Sequence, residues 1–145
     1  MQAPPFSVLR IDHVVLRVRD LARSEQFYAS VLGCVAVLRR DDLGLVHLRA
    51  GASMLDLISI DGKLGKNGGD PPGAHGKNVD HLCLRVEPFD EAMLIQHLQR
   101  FNLSPRAPAS INFGAEGKGP SLYFEDPDRN VIELKGSSVS VPAND

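Results

Sequence analysis

The sequence predicts an α+β fold built from two tandem βαβββ modules in one domain over residues 9–136, and three observations predict it. One motif occurs twice: IDHVVLRV at 11–18 returns as VDHLCLRV at 79–86, so that His81 follows His13 by 68 residues. Each copy is followed by an acidic or polar turn, a helical pattern and then short alternating runs. A second pair of segments closes the copies, MLDL at 54–57 and VIEL at 131–134, with a carboxylate in the same place and 77 residues from Asp56 to Glu133. The longer spacing means that about nine residues are inserted in the second half.

The first strand, 11–18, alternates: Val14, Leu16 and Val18 form an apolar face for a helix, which puts His13 on the other face with Val15 and Arg17. Asp20 is the N-cap of the helix LARSEQFYASVL, and Gly33 is a left-handed residue that ends it. Short strands VAVLRR, LGLVHLRA and SMLDLISI follow, and in the last of them Asp56 lies opposite Leu55 and Leu57. The stretch DGKLGKNGGDPPGAHGKN, 61–78, reads as loop from its Gly, Pro and Asn content. The modules are therefore about 9–61 and 78–136, with loop 62–77 between them.

In the second module His81 shares a face with Cys83 and Arg85, opposite Leu82, Leu84 and Val86. A helix starts near Asp90 and runs through EAMLIQHLQRF to Asn102. A Pro-broken stretch, PSLYFED and NVIELKG complete the order, with Glu133 opposite Ile132 and Leu134.

Composition narrows the function classes. The 145 residues suffice for one domain that buries roughly two-thirds of its unfolded surface. Apolar residues at 43% and charged residues at 23% are those of a folded soluble domain. A net charge of −2 with interspersed signs offers no basic face for nucleic acid and no polybasic patch for a membrane. MQAPPFSVLR holds no apolar run for a signal peptide or a span, so the expectation is a cytoplasmic protein. Cys34 and Cys83 lack paired metal or redox spacing and read as free thiols, and the tail SSVSVPAND reads as fraying.

Each module thus offers one histidine and one carboxylate on the face away from its helix. Two modules facing each other would bring His13, Asp56, His81 and Glu133 together. Imidazole nitrogen with carboxylate oxygen suits Zn, Ni, Fe, Mn or Co, and burying two carboxylates together without a cation is costly. The alternative is a buried salt-bridge network between the modules.

Other candidates read more plainly. His47 aligns with Phe124 when the Asp56 and Glu133 strands are superposed, which makes it structural. His97 is a partly exposed helix residue, and His75 belongs to the Gly/Pro loop. Arg17 and Arg85 share the face of the histidines, where they either bind an anionic substrate or pair with acids at the rim. Tyr123 is a candidate hydroxyl donor on that face. Lys63, Lys66, Lys77 and Lys118 are solvated loop charges, and GAEGKGP at 114–120 lacks the GK[ST] of a phosphate loop.

IDHVVLRVRDLARSEQFYASVLG, VDHLCLRV and YFEDPDRNVIELKG together resemble the vicinal-oxygen-chelate superfamily of glyoxalase I, extradiol dioxygenases, fosfomycin-resistance transferases and bleomycin-resistance proteins. The similarity covers residues 9–136. It implies two βαβββ modules forming a cup-shaped mixed sheet around a divalent metal, with ligands at His13, His81 and Glu133. Glyoxalase I has a glutamate as fourth ligand where this chain has Asp56, one methylene shorter. The resemblance implies a lyase or isomerase of the glyoxalase kind: the metal holds two neighbouring oxygens of a small substrate while a proton moves, with Glu133 or Asp56 as base. Its rivals are an extradiol-type dioxygenase, which uses two His and one carboxylate on Fe(II), and a bleomycin-resistance-type protein that sequesters its ligand without needing a metal. Fosfomycin-type thiol transfer ranks below both. A homodimer is expected, since open sheet edges and apolar surface in this superfamily are commonly covered by partner modules.

Overall fold

The computed structural model describes residues 3–139. Chain order is β1 (His13–Val18), α1 (Leu21–Leu32), β2 (Val35–Arg40), β3 (Leu45–Ala50), β4 (Ser53–Ser59), β5 (Leu82–Arg85), α2 (Glu91–Gln99), β6 (Arg106–Gly114), β7 (Gly117–Glu125) and β8 (Val131–Lys135). Short 3-10 turns occupy Asp41–Leu43 and Gly65–Gly68. The strands form two four-stranded mixed sheets of the same topology, ordered β1-β4-β3-β2 and β5-β8-β7-β6. In each, the first strand runs parallel to the fourth and the remaining pairs are antiparallel. This is the βαβββ order twice, and the chain divides into two compact units, up to Pro71 and from Pro72 onward. Among the described residues no helix is long and apolar enough to cross a membrane.

Both helices start where an aspartate satisfies a free backbone donor. Asp20 and Asp90 are extended N-caps, and each accepts a hydrogen bond at 3.0 Å, from Arg23 N–H and Met93 N–H. Gly33 ends α1 at φ 70°, with its N–H on Ala29 O. The second helix stops at Gln99, earlier than its sequence pattern suggests, and the chain turns away through Asn102 at φ 59°.

The core of each unit is the helix-facing row of its sheet. In the first, Leu55 and Leu57 of β4 are flanked in register by Val14 and Leu16 of β1 and by Leu48 and Val46 of β3. Tyr28 and Val31 of α1 are buried as well. In the second, Ile132 and Leu134 of β8 stand between Leu82 and Leu84 of β5 and Phe124 and Leu122 of β7. All four of those β7 and β8 residues are buried. Each such side chain contributes roughly 1.5–3 kcal/mol by leaving water, so the row fixes strand register, because a one-residue slip would turn it to the opposite face.

The Pro-broken stretch is an edge strand. β6 carries Pro108 and pairs only with β7, with an irregular register between Arg106 and Ser110. An edge position tolerates a residue without a backbone donor. The expected fraying of SSVSVPAND falls, from residue 140 on, outside the described residues; before it, Val139 N–H bonds Lys118 O at 2.8 Å.

Candidate metal centre

The opposite face of each sheet carries the candidate ligands. His13 opens β1, His81 immediately precedes β5, and each follows an aspartate. His13 Nδ1 lies 2.8 Å from Asp12 Oδ1, and His81 Nδ1 lies 2.7 Å from Asp80 Oδ2. An ionised carboxylate only accepts, so Nδ1 carries a proton in each ring, and Nε2 is the nitrogen left for another partner. The hydrogen bond that His13 donates to Asp12 holds its exposed imidazole above its usual pKa, and His81 holds Asp80 below the ordinary carboxylate range.

Glu133, in the middle of β8, is buried on this face, with Cys83 and Tyr123 as its register neighbours. Its Oε1 accepts from the Tyr123 hydroxyl at 3.0 Å and from Asn112 Nδ2 at 3.4 Å, and its Oε2 lies 3.2 Å from His81 Nε2. Burial pushes the carboxyl up. Donors outweigh it and hold Glu133 below its usual value: Ser121, whose hydroxyl makes no hydrogen bond of ordinary geometry among the described residues, then Tyr123, Cys83 and Asn112. The same proximity acts in reverse on the neighbours. Desolvation and the Glu133 carboxylate push both the Tyr123 phenol and the Cys83 thiol up to about 12, although Cys83 is exposed as a residue.

Asp56 is buried at the matching place in β4. Its Oδ2 lies 2.9 Å from His47 Nδ1, while Oδ1 has no hydrogen-bond partner among the described residues. This overturns the alignment of His47 with Phe124. In register His47 faces Asp56, as Tyr123 faces Glu133. The cause is a hairpin one residue longer in the second module. Gly51 and Ala52 join β3 to β4, whereas Asp126 N–H closes onto Asn130 O around the three residues 127–129. A single extra residue shifts the alignment by one position and moves the matching side chain to the other face.

Arg17 takes neither of its expected roles. Its guanidinium donates to the backbone carbonyls of Gly65, Gly68, Gly69 and Asp70 at 2.9–3.1 Å, pinning the loop after β4. A side chain at Gly68 would collide with it, since an added Cβ there meets Arg17 Nε at 2.3 Å. Arg85 does pair with acids, Glu116 at 2.7 Å and Glu87 at 3.3 Å. His75 is exposed in the loop and His97 packs edge-on to Phe101. Cys34 and Cys83 are free thiols.

The structure brings one pair of ligand candidates into contact, His81 with Glu133, whereas His13 is bonded to Asp12 and Asp56 to His47; among the described residues no three His, Cys, Asp or Glu side chains are grouped as a metal's ligands are. The one pair nevertheless suits a cation. Nitrogen and oxygen ligands held at roughly 2.1 Å from one cation lie about 3.0–3.4 Å from each other in octahedral or tetrahedral sites, a range that includes the 3.2 Å between His81 Nε2 and Glu133 Oε2. The buried Oδ1 of Asp56, without a hydrogen-bond partner among the described residues, is the kind of atom a cation satisfies.

Residues 10–134 match the profile of the Glyoxalase/Bleomycin resistance protein/Dioxygenase superfamily. The chain belongs to that superfamily. Virulence protein STM3117 of Salmonella typhimurium is 28% identical over 127 residues, 86% of this chain and 82% of that protein. Its crystal structure superposes with a TM-score of 0.75, covering 92% of this chain and all of the other at 26% identity. The Vibrio cholerae integron cassette protein VCH_CASS1 matches at a TM-score of 0.73 and 25% identity, over 92% of this chain and 98% of its own. A further similar structure is a variant of the fosfomycin resistance protein FosX from Listeria monocytogenes, complexed with Mn(II) and a dihydroxypropylphosphonic acid. It shares the fold at a TM-score of 0.66 with 14% identity, over 92% of this chain and 94% of its own.

Proposed function

We propose that this chain is a divalent-metal-dependent enzyme of the glyoxalase kind, a lyase or isomerase acting on a small substrate with vicinal oxygens. His13, Asp56, His81 and Glu133 hold the metal. The observation that carries the reading is the approach of His81 Nε2 to Glu133 Oε2 at 3.2 Å, with the far atoms of both groups already engaged by Asp80 and Tyr123. A ligand whose second atom is hydrogen-bonded is fixed in tautomer and orientation.

When bound, the cation supplies Lewis-acid stabilisation of charge on two neighbouring substrate oxygens. The side chains do the rest. Asp12 and Asp80 orient the imidazoles, and Tyr123 and Asn112 hold Glu133 ionised and in place. Glu133 accepts the substrate proton, with Asp56 the alternative acceptor. The donors that hold Glu133 low also make it a weak base, so it suits a substrate proton that is itself acidic.

The reading is of a cytoplasmic homodimer. Two unpaired cysteines suit a reducing compartment. Exposed Val35, Val37 and Leu38 on the edge strand β2 supply apolar surface for a second copy.

The test is metal analysis of protein purified without added metal, followed by turnover assays on the methylglyoxal–glutathione adduct and on catechols. About one divalent metal per chain, absent from His13→Ala and His81→Ala, with turnover of the adduct is the expected result. Equal metal content in wild type and both variants sinks the assignment. Fe(II)-dependent catechol cleavage would place the chain with the dioxygenases instead.

A further inference from the structure

The two modules match beyond their candidate ligands. Glu133 is held on one side and open on the other, with Oε1 on the Tyr123 hydroxyl and Oε2 facing a ligand nitrogen. His47 occupies the Tyr123 position of the first module, directly opposite Asp56 across β3 and β4. Its Nδ1 is 2.9 Å from Asp56 Oδ2, and Asp56 Oδ1 is left buried and without a hydrogen-bond partner among the described residues. The Asp56 side chain is only 6% exposed, so water does not stand in freely for that missing partner.

We propose that His47 is a positioning residue of the metal site, which grips Asp56 by Oδ2 so that Oδ1 is presented to the cation. The proposal rests on the reading of Asp56 as a metal ligand. The ionised carboxylate only accepts, so Nδ1 of His47 is the protonated nitrogen and the bond defines the tautomer. Aspartate has a short arm, and its terminal torsion is broad and poorly fixed by rotamer preference alone. A donor on the neighbouring strand, at the directly opposed position, removes that freedom. Tyrosine reaches Glu133 and histidine reaches Asp56 from equivalent backbone positions, with each donor matched to a different carboxylate.

The test is titration of the metal-free full chain with Zn(II) and with Co(II), whose visible absorption reports its ligand set. His47→Ala and His47→Phe should weaken binding by roughly 10- to 100-fold and shift the Co(II) spectrum. His47→Gln, which keeps an N–H donor, should restore most of the affinity. Phenylalanine preserves ring packing, so a residue that merely filled space would be rescued by it and not by glutamine. Asp56→Ala should weaken binding at least as much, and His47→Ala should add nothing in that background.

Wild-type affinity in His47→Phe, alongside metal loss in His13→Ala and His81→Ala, overturns the proposal and leaves the metal reading standing. Additive losses in the double variant also overturn it, because His47 would then act other than through Asp56. A wild-type chain that takes up neither metal overturns the underlying reading and the proposal with it.

Discussion

Desolvation, and then the Glu133 carboxylate 3.0 Å away, push the Tyr123 phenol up to about 12, so it stays a hydrogen-bond donor across the working pH range. The reverse effect holds Glu133 ionised, and it gives a pH signature. Glu133 sits below its ordinary value when folded, so its stabilisation is fully present above the unfolded value of about 4.3 and is lost as pH falls through the lowered value. Tyr123→Phe removes one donor to a buried charge, which costs about 1.5–3 kcal/mol. In melts of metal-free protein the deficit should be full near pH 7 and shrink toward pH 3; a gap independent of pH would show that the hydroxyl does not act through the carboxylate. Cys83 gives a second check. A thiol near 12 holds roughly a thousandfold less thiolate than free cysteine at pH 8, so thiol reagents should label it slowly, and Glu133→Gln should speed labelling only in part, because desolvation is the larger cause of the shift. At this scale the places of His13, Asp56, His81 and Glu133 on their strands were legible because duplication marked them, and that of Tyr123 because alternation put it opposite the core face. His47 was not, since its identity depends on hairpin length, and nothing in LGLVHLRA records how many residues the next turn uses.

Elements were read most faithfully where a single side chain determines a boundary. Asp20 and Asp90 begin their helices as expected, and Asp20→Ala or Asp90→Ala should each lower stability by about 1 kcal/mol, measured by chemical denaturation. Loss from one and not the other would mean that the two caps, alike in geometry, differ in context. The fourth strand of each module was legible for the same kind of reason: MLDL and VIEL alternate around one carboxylate. Edge strands were harder. β6 includes Pro108, so its sequence looks broken, and only its one-sided pairing explains why it is still a strand. β2 is exposed along its whole length, with Val35 59%, Val37 52% and Leu38 56% accessible. Bare apolar side chains on an unpaired edge invite another chain, and replacing Val37 and Leu38 with lysine should convert the expected dimer to monomer in sedimentation at micromolar concentration. A wild-type chain that sediments only as monomer would remove the homodimer from the proposal.

For the whole molecule, a bound metal is a ligand of the folded state alone, and it should therefore appear as stability. The proposed ligands are distributed over both halves of the sequence, His13 and Asp56 in the unit up to Pro71 and His81 and Glu133 in the unit after it. Neither unit by itself offers more than one histidine and one carboxylate of that set. Free metal at about a hundred times its dissociation constant stabilises the folded chain by about 2.7 kcal/mol. For a domain of this size each kcal/mol raises the melting temperature by roughly 4 °C, so the shift should be about 10 °C, and a chelator should reverse it. A nonspecific cation effect makes a different forecast, because a net charge of −2 gives every divalent ion the same weak, salt-screened attraction. The discriminating set is His13→Ala and His81→Ala, one from each unit, against His75→Ala and His97→Ala, which lie in the loop and on α2. The first two should abolish the metal-induced shift and the last two should keep it. Loss in only one of the first pair would confine the cation to a single module, and a full shift in both would place it away from the duplicated histidines altogether.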